Sequence, residues 1–586
     1  MVGTSPNEDA AVSSTAIGIL VALAAYGVVV AYLSHKGTQK TQNRTIEYVL
    51  AGRSVGPIVL IGTMALSIWS ALAFYGYAAG MYRSGMGFLS GAVGAFFVGI
   101  YAVTIMPRLW LLSKRYGYMT PGDFFRHRYR SRALDALVTF IMLFFIVPYI
   151  ALQIIGVSNG AVVVSAGDLA FWLIAAVLTV FIVGHVLGGG NNSVVLADTL
   201  GGFAGITIAI AITVALVGFA LQDQGGLAGA VEVLLATNRD VLFYTGEFGT
   251  WYGVLALAIA AGLSIIVWPH IFIRSYMART TRSFRVMAVA FPLVQLLAFG
   301  MFAIWGVHVG QAALPGLDAA ASDDLVASLV VEFAPLLAVF LVVAVFGFGM
   351  STADSQLVVS SSIIQNDVLR SQGDDRSQLR LVRLFLGAMM ILVLLVVAFR
   401  PALLVEYAYD FAAPGFAQLM PAAFGGLYWR RATRQGALAG TSLGLAATLV
   451  TTFVANPTPL QPILIGLAVN VALFVAVSML TRPDERAGVE VHDYLAGVFG
   501  PKNTTGHKVL MVLVALAFVQ GLILPPYLPE AIVLGWIPLQ TFVASLTAVE
   551  LAVIGYFYAR NRFDGIRPDF QPDARHLDAR GEHAPA

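Results

Sequence analysis

GFGMSTADSQLVVSSSIIQND, residues 347–367, carries two adjacent hydroxyls, a carboxylate and a file of further polar groups inside an otherwise apolar segment of spanning length. Such groups are costly in bilayer hydrocarbon and persist where they line a site or a water path. Ser351 and Thr352 offer the hard oxygen ligands that an alkali cation takes. The stretch therefore points to ion handling within a membrane.

The rest of the chain agrees. Of 586 residues, 58% are apolar and 11% charged, whereas a soluble domain has about 25% charged residues. This composition describes an all-α polytopic membrane protein with almost no room for a soluble domain. A net charge of +2 gives no basis for nucleic-acid binding. The absence of cysteine excludes disulfides and thiolate metal sites. Residues 15–34 read as a retained spanning helix, because they are long enough to cross and follow Glu8 and Asp9, not a basic leader.

Apolar runs of spanning length fall near 15–34, 57–81, 88–113, 134–163, 169–188, 193–221, 251–273, 285–309, 335–366, 379–399, 403–427, 434–455, 459–481, 508–528 and 531–559, which predicts about fifteen transmembrane helices. With the N-terminus outside, alternation puts all but three of the 34 Lys and Arg residues on the inner side; only Arg83, Arg239 and Arg400 fall outside. A miscount by one span would mix the two sets, so the asymmetry supports both the count and a cytoplasmic C-terminus. The expected setting is the plasma (inner) membrane, with lipid as the surrounding partner. The polar tail 560–586 reads as disordered.

Two predicted spans look broken. Residues 57–81 carry Ser67 and Ser70 without a uniform apolar face, and 251–273 ends in IIVWPHIFIR, with Pro269 and His270. Proline removes a backbone donor and disfavours helix in the residue before it. Each broken span opens a group of five, so the second group enters the membrane with opposite topology. Paired broken helices in inverted repeats point to a transporter's midplane site. The division is then 1–56 (N-terminus, first helix and linker), 57–221 (first repeat), 222–250 (external loop), 251–427 (second repeat), 428–559 (four further helices) and 560–586 (tail).

Five motifs in order resemble the sodium:solute symporter family: YVLAGRSVG (48–56), LGGGNNSVVLADTLGG (187–202), WPHIFIRSYMA (268–278), GMSTADSQL (349–357) and FAQLMPAAFGGLYWRRATRQGALAG (416–440). The resemblance covers residues 48–440. It implies the leucine-transporter type of 5+5 inverted-repeat core, with one helix before it and four after. It also implies a symporter, not an enzyme, that imports a small-molecule solute with Na+ as coupling ion, a monomer sufficing. By the same resemblance, sodium is held by the hydroxyls of Ser351 and Thr352 and the carbonyls of Phe348, Leu66 and Trp69, and Asp198 assists its passage.

Ser351, Asp354, Ser355, Ser362 and Gln365 recur at helical spacing as one stripe leading toward Asp367, read as the inward exit for the ion. LGGG at 187–190 lacks a following GKS or GKT and reads as a turn for close helix packing. Candidate solute contacts are Ser70, Tyr149, Gln153, Trp268, His270 and Gln418. Arg274 reads as snorkelling to the inner surface. Glu406 and Asp410 read as solvated. Gly436, Gly440 and Gly444 read as helix-packing positions.

A small monocarboxylate suits the absence of acids around the expected pocket, since half-helix N-termini can hold a carboxylate. Ala261 and Ile265, where aromatics are expected for proline, weaken an amino-acid reading. Pantothenate and sugar remain alternatives, as does a proton-coupled carrier using Asp198 and Asp354. A transporter-like sensor is disfavoured by short cytoplasmic loops.

Overall fold

The computed structural model describes residues 13–42, 44–370, 374–399, 407–499 and 504–562. Glu8, Asp9, Arg400, Glu406, Lys502 and the tail beyond Arg562 lie outside them. Helix dominates, as it must where hydrocarbon offers the backbone no hydrogen-bond partners. Among the described residues, strand pairing is limited to a two-residue hairpin, Ile532–Val533 with Ile537–Pro538, and an isolated bridge between Val55 and Ala278.

Among the described residues, twelve helices are long and apolar enough to cross a membrane, and two more spans are bent pairs. In chain order they are α1 (Ser14–Thr41), the pair α2 (Pro57–Ile68) and α3 (Leu72–Ser84), α4 (Met86–Thr104), α5 (Arg132–Val164), α6 (Phe171–Gly189), α7 (Asn191–Phe219), the pair α8 (Trp251–Val267) and α9 (Pro269–Met277), α10 (Thr281–Gln311), α11 (Pro335–Val368), α12 (Asp375–Phe399), α13 (Arg434–Phe453), α14 (Pro462–Leu480), α15 (Thr505–Ile523) and α16 (Leu539–Arg560). The span expected at 403–427 begins outside the described residues and continues as helical segments Tyr407–Ala412, Ala413–Ala417 and Met420–Tyr428.

α11 is the centre. Every residue from Leu357 to Ile363 and from Ala344 to Gln356 is buried, with α1, α2, α5, α6, α7 and α12 packed around it. Its polar side chains therefore face protein, not lipid. The outer faces of α15 and α16 expose Val512, Leu516, Val553 and Phe557, as suits lipid contact. α13 and α14 form a tight hairpin in which Gly436, Gly440 and Gly444 lie against Ser478 and Asn470, as their spacing predicts.

The LGGG turn does more than join α6 to α7. Gly190 sits at φ +53 and ψ −137, and a Cβ there would lie 2.5 Å from the Tyr48 carbonyl. A Cβ on Gly189 would strike Ser193 and Gly37. The turn is therefore cut back to admit α1 and the segment leading into α2.

Ion pairs join the loops at each end of the bundle. Arg126, Asp135 and Arg370 meet at one end, as do Arg130 and Glu490. Arg83 meets Asp323, and Arg239 meets Glu530, both outside pairs in the expected topology.

Candidate functional site

Two helix breaks face the polar stretch of α11. α2 stops at Ile68; Trp69 is extended at φ −84 and ψ 91, and α3 leaves at 61°. α8 tightens into a 3-10 turn after Gly262 and Trp268 is extended before Pro269, giving a 51° bend into α9. Proline at the first position of α9 is compatible with a helix start but not with continuation from α8.

The first break frees backbone groups on both sides. Ala73 N–H turns to Ser70 O at 2.9 Å instead of Trp69 O. Among the described residues no backbone N–H closes on Leu66 O; Thr352 Oγ1 donates to it at 3.1 Å. Leu66 and Trp69 thus offer carbonyls freed at the break, and Thr352 a hydroxyl on Leu66 O; hard oxygens are the ligand type an alkali cation takes. Phe348 differs: it lies in unbroken helix, where its carbonyl has a helical donor, and its ring packs on Phe74 with centroids 4.8 Å apart. Gly205 on α7 makes room for that ring, since a Cβ there would lie 2.2 Å from it.

Beside this set, Asp198 is 1% exposed. It accepts from Ser351 Oγ at 2.5 Å and from Thr63 Oγ1. Arg274 corrects the sequence expectation. It does not reach the surface but is fully buried, with Nη2 at 3.6 Å from Asp198 Oδ2. The same nitrogen donates to Ser67 Oγ at 2.9 Å and Ser355 Oγ at 2.5 Å. A buried guanidinium needs a counter-charge more than it needs the membrane surface, and Asp198 supplies it.

The expected exit stripe is sealed. Asp354 is paired with His185 Nδ1 at 2.5 Å, both side chains fully buried. Ser362 bonds back to Val358 O at 2.7 Å, and Gln365 is 4% exposed. At its inner end Asp367 accepts from Thr120 at 2.9 Å and Arg126 at 2.7 Å. Arg126 also meets Asp123 and Asp135, each at 3.1 Å. Burial disfavours the Arg126 charge, but these carboxylates outweigh it and hold the guanidinium above its usual pKa. The cluster ties the end of α11 to the loop helix Pro121–Tyr129 and to α5.

Five of the six expected solute contacts gather at the breaks. Tyr149 and Trp268 meet edge to face with centroids 4.9 Å apart, and His270 lies 6.4 Å from the Tyr149 ring. Ser70 lies beside the Tyr149 hydroxyl. Gln153 donates to Tyr149 O at 3.3 Å, and its buried Oε1 has no partner among the described residues. The His270 ring is buried beside the Ser67 backbone. All five are buried, so the group is closed to both sides.

Gln418 is the exception. Its amide donates to Thr448 Oγ1 at 3.1 Å and to Pro414 O at 3.3 Å, and accepts from Asn470 at 3.0 Å. It fastens the α13–α14 hairpin to the core. Gln418→Ala is therefore expected to leave the solute concentration for half-maximal uptake within about twofold of wild type while destabilising the fold by about 1–3 kcal/mol, the cost of orphaning buried partners. Concentration-dependent uptake and thermal unfolding of the purified variant separate these outcomes.

Sequence reading missed His185, Thr63 and Gln295, the last accepting from the Trp69 indole. His185 and Gln295 carried a signal: a lone polar side chain within a spanning segment calls for a partner. Thr63 carried none, because a threonine in such a helix ordinarily bonds back to its own backbone.

A family description, Sodium:solute symporter family, matches residues 48–444. The sodium/pantothenate symporter of Escherichia coli (strain K12) is 28% identical over 471 residues, 74% of this chain and 90% of that protein. The high-affinity proline transporter PutP of Bacillus subtilis (strain 168) is 26% identical over 487 residues, 80% of this chain and 98% of that one. Among solved structures, the substrate-bound outward-open state of a Na+-coupled sialic acid symporter superposes with a TM-score of 0.64 at 14% identity, covering 80% of this chain and 98% of its own. That likeness carries the fold.

Proposed function

Because this chain belongs to the sodium:solute symporter family, we propose that it imports a small carboxylate-bearing solute, a monocarboxylate being the best reading, by alternating access with sodium held at the first helix break. Sodium is the coupling ion of the family. The ligands in this reading are the Leu66 and Trp69 carbonyls and the Thr352 and Ser351 hydroxyls, with Phe348 as a weaker donor from the facing helix. Asp198, Asp354 and Ser355 border the ion's path as coupling residues in this reading.

One observation carries the carboxylate reading. The N–H groups of Ser70, Ala71 and Leu72, at the start of α3, have no hydrogen-bond partner among the described residues. Freed amides at a half-helix N-terminus are donors for an anion. Around them stand Tyr149, Gln153, Trp268 and His270. Pantothenate, proline and sialic acid, named for the relatives above, all carry a carboxylate. A neutral sugar lacks that group and fits the freed amides least.

Both breaks and all of these residues lie in one chain, so a monomer suffices. The two repeats run 57–221 and 251–427, with the N-terminus outside and the C-terminus in the cytoplasm of the inner membrane. Single cysteines test this orientation directly, since the chain has none. In sealed right-side-out vesicles an impermeant maleimide should label Asn238→Cys and spare Asp374→Cys; the reverse pattern inverts the topology.

The function is tested by uptake in proteoliposomes with a panel of monocarboxylates, amino acids and sugars under imposed sodium or proton gradients. Sodium-driven accumulation of a carboxylate is expected. Accumulation that ignores sodium and follows protons would favour the proton-coupled reading, for which the buried His185–Asp354 pair is the observation.

A further inference from the structure

Three oxygens from three helices converge on one cationic nitrogen. Ser67 Oγ on α2, Ser355 Oγ on α11 and Asp198 Oδ2 on α7 lie 2.9, 2.5 and 3.6 Å from Arg274 Nη2. Two hydroxyls and a carboxylate are a hard-oxygen set suited to an alkali cation. All four side chains are buried. The set also adjoins the proposed sodium position: Ser351, whose hydroxyl bonds Asp198, is the neighbour in sequence of Thr352, and Ser355 donates to the Ser351 carbonyl at 3.1 Å.

We propose that this is a second cation site filled permanently by the chain's own guanidinium, so that Arg274 limits the transporter to one sodium per cycle. The inference rests on the reading of the first sodium at Leu66, Trp69 and Thr352. The physical ground is charge. A buried carboxylate with no counter-charge is far costlier than a paired one, and Asp198 must be matched in every state of the cycle. A tethered cation does so without drawing on the sodium gradient. The guanidinium is otherwise poorly served for a purely structural anchor: among the described residues Nε has no partner, and Nη1 reaches only the Met277 sulfur at 3.5 Å. Its best contacts are the oxygens of the cation shell. Arg274 also comes from the second helix break while its partners come from the first break, α7 and α11, so the tether spans the elements expected to move against one another.

The proposal fixes what removal of the charge does. With Arg274→Gln, Asp198 regains an unmatched charge within an intact oxygen shell, and a second sodium should enter. Equilibrium binding of radioactive sodium to purified protein, with choline holding ionic strength, reads the number directly. Wild type should bind about one sodium per chain, Arg274→Lys about one, and Arg274→Gln about two, with the extra site also seen as a steeper rise of thermal midpoint with sodium, since each ligand bound only by the folded state adds its own stabilisation. Arg274→Gln combined with Thr352→Ala should fall back to about one. Two sodium ions bound by the wild type, or one or none by Arg274→Gln, overturns the inference. An Arg274→Gln protein too unstable to bind at low salt is read by its unfolding midpoint: failure of sodium to raise it more steeply than in wild type is likewise a refutation. Wild type that binds no sodium at all would instead refute the first site, and this inference with it.

Discussion

Replacing Ser351 and Thr352 together by alanine should raise the sodium concentration for half-maximal uptake by about a hundredfold, with solute affinity at saturating sodium changed little. A hydrogen bond or dipole contact to a charged group contributes about 1.5–3 kcal/mol, and about 1.4 kcal/mol is a factor of ten in affinity, so each hydroxyl accounts for roughly tenfold or more. Thr352 carries the more direct share, because its hydroxyl already sits on Leu66 O, a carbonyl freed by the break. Ser351 acts partly through Asp198. Ser361→Ala is the matched control: its hydroxyl is spent on Leu357 O at 2.7 Å on the same helix, and its loss should leave the sodium dependence unmoved. Uptake measured against sodium at fixed ionic strength decides the matter. An unchanged half-saturation in the double variant would remove both hydroxyls from the ligand set.

Asp198→Asn should be the most damaging single substitution in the core. It leaves the Arg274 guanidinium buried beside a neutral amide, and breaking a buried pair from one side costs about 3–5 kcal/mol. The amide must also place its NH2 against Ser351 or Thr63, both of which donate to the carboxylate. Transport should fall below a tenth of wild type, and the thermal midpoint should drop clearly. Asp198→Asn with Arg274→Gln should recover much of the lost stability without recovering transport, because the two effects share one interaction and are not additive. If Asp198→Asn keeps a wild-type midpoint, the pair contributes no net stability and Arg274 is held by its serines alone.

The two breaks were legible as words in the sequence. WPH forces an interruption, since proline cannot continue a helix, and the serines at 67 and 70 mark a span with no lipid face. The basic residues sorted by side because charged loops do not cross readily. Arg274 was read as snorkelling because an arginine near a span's inner end ordinarily does so. What overrode that habit was a carboxylate 76 positions earlier in the chain, brought within 3.6 Å only by the packing of α7 against α2 and α11. Gln418 failed for the same kind of reason. A glutamine in a spanning helix must find a partner, but spacing does not say whether that partner is a solute or a neighbouring hairpin, and here Thr448 and Asn470 are nearer.

By itself the sequence determined that the chain is an all-helical membrane protein, where it is broken, and which oxygens could meet a small cation. These are local or compositional properties: hydropathy, proline and side-chain chemistry act where they stand. Only the tertiary structure decided the pairings, Asp198 with Arg274 and Asp354 with His185, and turned Gln418 away from the breaks. Buried charges choose partners by proximity in space, and proximity is fixed by how helices far apart in the chain pack around α11.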